Sequence, residues 1–185
     1  MGFFLFSGAG SSTILSNVAP FAASADPAPA PQIYSVKMTG YNAVPSQTDD
    51  VPDMTASGVY ADADVVAARS VDLADELPFG TVIEIDGPPA TSTDPSCGFE
   101  LVQPMIGYRV IADSMHSRKR DQIDILFHTD SSVSVGGTRR NAATALGICK
   151  GVTITVVGHI DIKDMPRSQM QLAQMIGKAS FASAK

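Results

Sequence analysis

At 185 residues, 44% of them hydrophobic and 17% charged, the chain can fill one hydrophobic core but hardly two. A net charge of −6 opposes a nucleic-acid surface, because phosphate binding needs a basic face. The single dense basic run, Arg118-Lys119-Arg120, is too short to reverse that balance, so one domain with tails and no nucleic-acid partner is expected.

Residues 1–25 carry no Lys or Arg, run apolar through Phe3, Phe4, Leu5 and Phe6, and end in Ala23-Ser24-Ala25, a small-residue pattern that fits signal-peptidase cleavage. An export segment over 1–25 and a secreted or cell-envelope protein are therefore expected, with mature protein beginning at Asp26. A mis-assigned start or a disordered tail is the competing reading. Pro20 interrupts the apolar patch Val18–Ala23, so no stretch here approaches the roughly 20 residues of a membrane-spanning helix. Residues 26–34 open with Asp26-Pro-Ala-Pro-Ala-Pro31 and read as an extended Pro/Ala linker.

Folding is expected over 35–160, with 161–185 as a helical or disordered tail. Ile33–Met38 alternates like a strand, and Thr39-Gly40-Tyr41-Asn42 closes it. Residues 42–54 are polar and Pro-containing loop, and Thr55-Ala-Ser-Gly-Val59 is a compact turn into another strand. Val65–Ala68 is a short apolar strand, and Ser70–Glu76 a polar crossover holding Asp72 and Asp75. Leu77-Pro-Phe-Gly-Thr81 turns tightly into a strand over Val82–Ile85, with Gly80 free to take a φ that side chains forbid. Asp86–Ser96, rich in Pro and Ser, reads as a surface insertion.

Two β-branched apolar runs follow, Tyr108–Ala112 and Ile123–Phe127, each with the composition of a buried strand. The loop between them holds Asp113, His116, Arg118, Lys119, Arg120 and Asp121. Asp113 ends the first strand. Asp124 stands inside the second between Ile123 and Ile125, where an unpaired carboxylate is costly. Two carboxylates meeting at a strand mouth point to a site.

Thr138–Gly147 has a Thr start, helix-forming residues and a Gly stop, which predicts a short helix. Val152–Val157 is the closing strand, and Pro166–Lys178 can form an amphipathic helix with Leu172, Met175 and Ile176 on one face. Six or seven short strands with one small helix are most economically arranged as a closed, mainly all-β barrel, which leaves no edges. Cys97 and Cys149, far apart and without metal-ligand spacing, are either buried thiols or, in an exported chain, a disulfide with each other. The disulfide is the expectation.

Thr39-Gly-Tyr41, Thr55-Ala-Ser-Gly58, Leu77-Pro-Phe-Gly-Thr81, Ile111-Ala-Asp113 and, eleven residues on, Ile123-Asp124-Ile125 together resemble the 3D domain, named for its three aspartates and found in lytic transglycosylases of the MltA type and secreted stationary-phase proteins. The resemblance covers about Ser35–Val157 and implies a six-stranded double-psi β-barrel. It implies cleavage of peptidoglycan glycan strands between N-acetylmuramic acid and N-acetylglucosamine, without water as the nucleophile. A monomer with no cofactor and no metal is expected. Asp124 would protonate the glycosidic oxygen and then take the proton of the muramoyl C6 hydroxyl, giving a 1,6-anhydro product. Asp113 would supply the neighbouring charge. Asp72, or less well Asp75, would be the third aspartate, and Thr39, Tyr41, Thr55, Arg118 and Lys119 would line the substrate groove. Family members commonly carry a glycine-rich central loop, whereas this chain has Asp113-Ser-Met-His-Ser-Arg-Lys-Arg120, whose longer side chains narrow the groove.

Two other classes stay open. The barrel is a non-catalytic glycan-binding module, or Asp113, His116, Asp121, Asp124 and His128 hold a divalent metal, although no compact ligand motif is present. A strand-borne Asp that merely anchors a loop, histidines that lie at the surface, and a solvated Arg118–Arg120 turn are the plainer readings of the same residues.

Overall fold

The computed structural model describes residues 1–2, 30–89 and 94–182; the expected export segment from residue 3 on and the start of the linker lie outside them. Eight strands and three α-helices follow one another among the described residues: β1 (Ile33–Asn42), β2 (Val66–Arg69), β3 (Thr81–Asp86), α1 (Phe99–Val102), β4 (Arg109–Ser114), β5 (Gln122–Phe127), β6 (Ser132–Val135), β7 (Thr138–Asn141), α2 (Ala142–Leu146), β8 (Cys149–His159) and α3 (Gln169–Ala182). Six strands close into a barrel in the order β1-β5-β2-β4-β3-β8. β1 and β5 run parallel, as do β2 and β4, and the other pairs are antiparallel. This is the closed, mainly β, six-stranded double-psi barrel expected from the sequence.

The two-residue strand period divides the barrel side chains into two sets. Val36 and Met38 of β1, Ala67, Ile83, Ile111, Ile123, Ile125, Phe127, Val152 and Ile154 pack together inside. Their alternates Tyr41, Val66, Ala68, Ala112 and Leu126 form a second cluster on the outer wall, beneath Ala43, Val59, Ala61, Ala63 and Met115. A third cluster, Val65, Val82, Val110 and Ile160, is covered by Leu172 of α3, with Met175 and Ile176 beside it. The C-terminal helix is therefore docked over these residues. Gln169 fixes its start, accepting from the Tyr108 N–H at 2.9 Å and donating to the Tyr108 carbonyl at 2.8 Å.

The Leu77–Thr81 turn is seated on a buried arginine. Arg69 Nε donates to the Leu77 carbonyl at 2.8 Å, and its guanidinium lies 4.9 Å from the centre of the Phe79 ring, a cation–π contact. Gly80 has φ +94°, and a Cβ there would meet the Ile160 carbonyl oxygen at 2.3 Å. Gly80→Ala is expected to destabilise the fold by about 1–3 kcal/mol through strain and collision, read as a lowered urea midpoint; an unchanged midpoint counts against this seating of the turn.

Two expectations are corrected. Thr138–Gly147 is not one helix: Thr138–Asn141 pairs as β7 with β6 across Gly136-Gly137, both at positive φ, as a two-residue hairpin turn requires. Only Ala142–Leu146 is helical, capped by the Asn141 side chain, which accepts from the Ala143 and Thr144 N–H groups. Besides α2 the described residues hold α3, in the stretch expected to form an amphipathic helix, and the one-turn α1, which the sequence reading did not include. The Thr55–Val59 turn leads only to an isolated bridge between Met54 and Tyr60, since a hairpin of that size leaves no length for a strand. β1 begins at Ile33, as the alternation over Ile33–Met38 predicts.

Cys97 and Cys149 form a disulfide, with Cα atoms 4.6 Å apart and 52 residues of separation. It ties the loop before α1 to the first residue of β8. Reducing it is expected to lower stability by about 2–4 kcal/mol, measured as the shift of the denaturation midpoint with and without reductant. No shift would mean that the loop is held as well by its other contacts.

Candidate functional site

The site is built on the outer wall of the barrel. In the parallel β1–β5 ladder Thr39 stands opposite Asp124 and Lys37 opposite Gln122, and on the other flank of β5 Asp124 faces Ala68 of β2. Thr39 Oγ1 donates to Asp124 Oδ1 at 2.9 Å. Gln122 Nε2 in turn donates to Thr39 Oγ1 at 2.9 Å. The isoleucines flanking Asp124 point into the barrel core, so they are not what surrounds its carboxyl group, contrary to a simple reading of the sequence. Strand alternation sends the carboxyl to the opposite side, under the covered wall.

Asp113 reaches the same wall through an irregularity. The β2–β4 register pairs Ala67 with Ile111 but Ala68 with Asp113. Without that bulge, alternation would place Asp113 with Ile111 in the core; a bulge re-aims the side chain. Three donors hold it: the Ala56 N–H at 2.9 Å, the Ser114 N–H at 2.8 Å and the Tyr41 hydroxyl at 3.0 Å. The Ala56 contact ties the Thr55–Gly58 turn directly to the site. Burial, and then the adjacent Asp113 carboxylate, push the Tyr41 phenol well above its usual range.

Both carboxyl groups open onto a cavity of about 580 Å³. Tyr41, Thr55, His116 and Lys119 also line it, with Val51, Pro52, Met54 and Met115 as its apolar part. Burial pushes the Asp124 carboxyl up to about 7, against the opposing pull of the Thr39 hydrogen bond and the Lys119 ammonium, while Asp113 adds a smaller push upward. Desolvation thus outweighs the neighbouring charge. A half-buried carboxyl that keeps its proton near neutrality and faces a cavity can act as a proton donor.

Other sequence candidates fall elsewhere. Asp72 does not line this cavity; its Oδ2 accepts from the Asp121 N–H at 2.9 Å, which holds its carboxyl below the usual carboxylate range and supports Asp121 at φ +48°. Asp72 thereby fastens the end of the central loop. Asp75 lines a separate depression with Glu76 and His159. Arg118 is exposed and donates its N–H to His116 Nδ1 at 3.2 Å. His128 pairs with Asp64 at 3.2 Å. Among the described residues no three His, Cys, Asp or Glu side chains gather as a metal site.

Sequence reasoning missed Gln122 and Arg109. Gln122 was within reach of the period-2 rule, lying two residues before Asp124 on the same strand face. Arg109 carried no such signal, because its partners are backbone carbonyls.

No protein-family model matches the chain, and no characterised protein matches it in sequence. Among solved structures it is similar to a mutant expansin of Clavibacter michiganensis in complex with cellohexaose, at 14% identity and a TM-score of 0.37, over 73% of this chain and 54% of the expansin. The chain therefore spans about half the length of that protein. A likeness this distant assigns neither family nor activity.

Proposed function

We propose that this barrel is a cell-wall glycan-binding domain that takes a sugar strand across Asp113 and Asp124. The observation that carries the reading is two carboxyl groups from different strands, one fixed by three donors and one by a single donor, side by side in a cavity of about 580 Å³. That volume is in the range of small-ligand sites. Sugar hydroxyls donate to the Asp113 carboxylate and sugar oxygens accept from the Asp124 acid, while the C–H faces of the rings can pack on Val51, Pro52 and Met54. Peptidoglycan is the substrate class implied by the resemblance to the three-aspartate domain. An extracytoplasmic, monomeric protein is part of the same proposal; the Cys97–Cys149 bond supports the extracytoplasmic location, since disulfides persist in oxidising compartments.

A second reading is favoured by one specific observation, the Asp124 carboxyl raised to about 7. In it the domain is a lytic transglycosylase. Asp124 protonates the glycosidic oxygen, Asp113 stabilises the oxocarbenium-like state, and the Asp124 carboxylate then removes the C6 hydroxyl proton as that oxygen closes onto the anomeric carbon.

Incubating the protein with peptidoglycan, and in parallel with cellohexaose, separates these readings. Retention on the insoluble wall without soluble product is the expected result for a binding domain. Release of 1,6-anhydro-muropeptides, seen by mass spectrometry, establishes the enzyme. No retention and no product would overturn both.

A further inference from the structure

Gln122, Thr39 and Asp124 form a directed chain of hydrogen bonds. Gln122 is 5% exposed and its amide Nε2 donates to Thr39 Oγ1 at 2.9 Å, and Thr39 Oγ1 donates to Asp124 Oδ1 at 2.9 Å. A hydroxyl has one proton to give. With the amide filling an acceptor position on Thr39, that proton points to Asp124, and Oδ1 is committed as an acceptor. Asp124 Oδ2 has no hydrogen-bond partner among the described residues, yet no buried side-chain oxygen or nitrogen among them lacks one. Oδ2 is therefore open to the cavity that Asp124 lines.

We propose that Gln122 and Thr39 are positioning residues that place the Asp124 proton on Oδ2, the oxygen facing the groove, and deny it to Oδ1. The inference rests on Asp124 being the proton donor of the groove, and names its complement: an oxygen that accepts, such as a glycosidic oxygen. The charged or titratable groups that share the cavity with Asp124 are His116 and Lys119 from the central loop, Asp113 from β4, Tyr41 from β1 and Asp49 from the loop after β1; β2 presents only Ala68.

The test is a carboxyl carbon-13 NMR titration of the full chain with labelled aspartate, which needs no ligand. The wild-type Asp124 midpoint is expected near 7. Thr39→Val removes a donor to the ionised form and raises the midpoint by about one pH unit. Gln122→Met frees the Thr39 hydroxyl to rotate and accept from the protonated acid, raising it by about half a unit. Thr39→Ser keeps the hydroxyl and leaves the midpoint at the wild-type value. A wild-type midpoint in Gln122→Met, in a protein whose amide spectrum is native, overturns the lock; Gln122→Asn, too short to reach Thr39, gives the same reading if the methionine variant fails to fold. A flat midpoint with wall binding intact rejects the lock alone, whereas shifted midpoints without wall binding reject the proposed function alone.

Discussion

Replacing Arg109 with methionine is expected to lower the unfolding free energy by about 3–5 kcal/mol. The residue is 1% exposed and its guanidinium acts as a fork into backbone oxygens. Nε donates to the Ile106 carbonyl at 2.6 Å, Nη2 to Met105 at 2.7 Å, and Nη1 to Ala63 at 2.6 Å and Leu126 at 3.2 Å. One side chain thus joins the turn before β4, the loop that covers the outer wall, and β5 itself. Methionine fills much of the volume but leaves these carbonyls without a donor, and each buried orphan costs about 1–3 kcal/mol before relaxation. Burial lowers the arginine to about 10, so it stays charged at neutral pH. Arg109→Lys keeps a charge but not the fork, and is expected to recover less than half of the loss. Urea denaturation of the three proteins measures this, and a loss below about 1 kcal/mol for methionine would mean that water replaces the guanidinium.

The contrast between Arg109 and the strands shows which physics is legible in a sequence. β4 and β5 were readable because β-branched apolar runs have few other uses, and the Leu77–Thr81 turn because proline and glycine restrict the backbone directly. Asp124 stood out as a carboxylate inside an apolar run. Its surroundings did not, since a one-dimensional neighbour such as Ile123 lies on the other face of the strand. Asp113 was placed at the strand end correctly, but its presence on the same wall depends on the Ala67/Ala68 register shift, and nothing in Ile111-Ala-Asp113 announces a bulge. Thr138–Asn141 reads as helix by propensity, but Gly136-Gly137, both at positive φ, turns the chain into a hairpin there. Arg109 was invisible for a different reason: a side chain that bonds to carbonyls leaves no chemical trace on the residues that own them.

Asp124→Asn is expected to make the protein more stable at pH 8 while abolishing its use as an acid. The folded carboxyl titrates at about 7, above the unfolded value of about 3.9. Between those values the native state holds a proton that the unfolded chain releases, so stability falls as pH rises through the window. The contribution is fully present below about pH 4 and gone above about pH 7, with a span of a few kcal/mol at most. Asparagine keeps the size of the side chain, accepts from Thr39 through its carbonyl oxygen, and has no charge to desolvate. The variant should therefore lose this pH dependence, equal the wild type near pH 4 and exceed it at pH 8. An aspartate whose ionised form anchors a loop predicts the opposite sign, a variant less stable at pH 8 because a charged acceptor has been lost. Denaturation curves at pH 5 and pH 8 decide between them without any ligand. Wall binding should survive the substitution, since the cavity keeps its shape, whereas any release of anhydro-products should fall by about 10²- to 10⁴-fold for want of a transferable proton. Undiminished release from Asp124→Asn would remove Asp124 from the chemistry and leave the groove as a place where glycan is held.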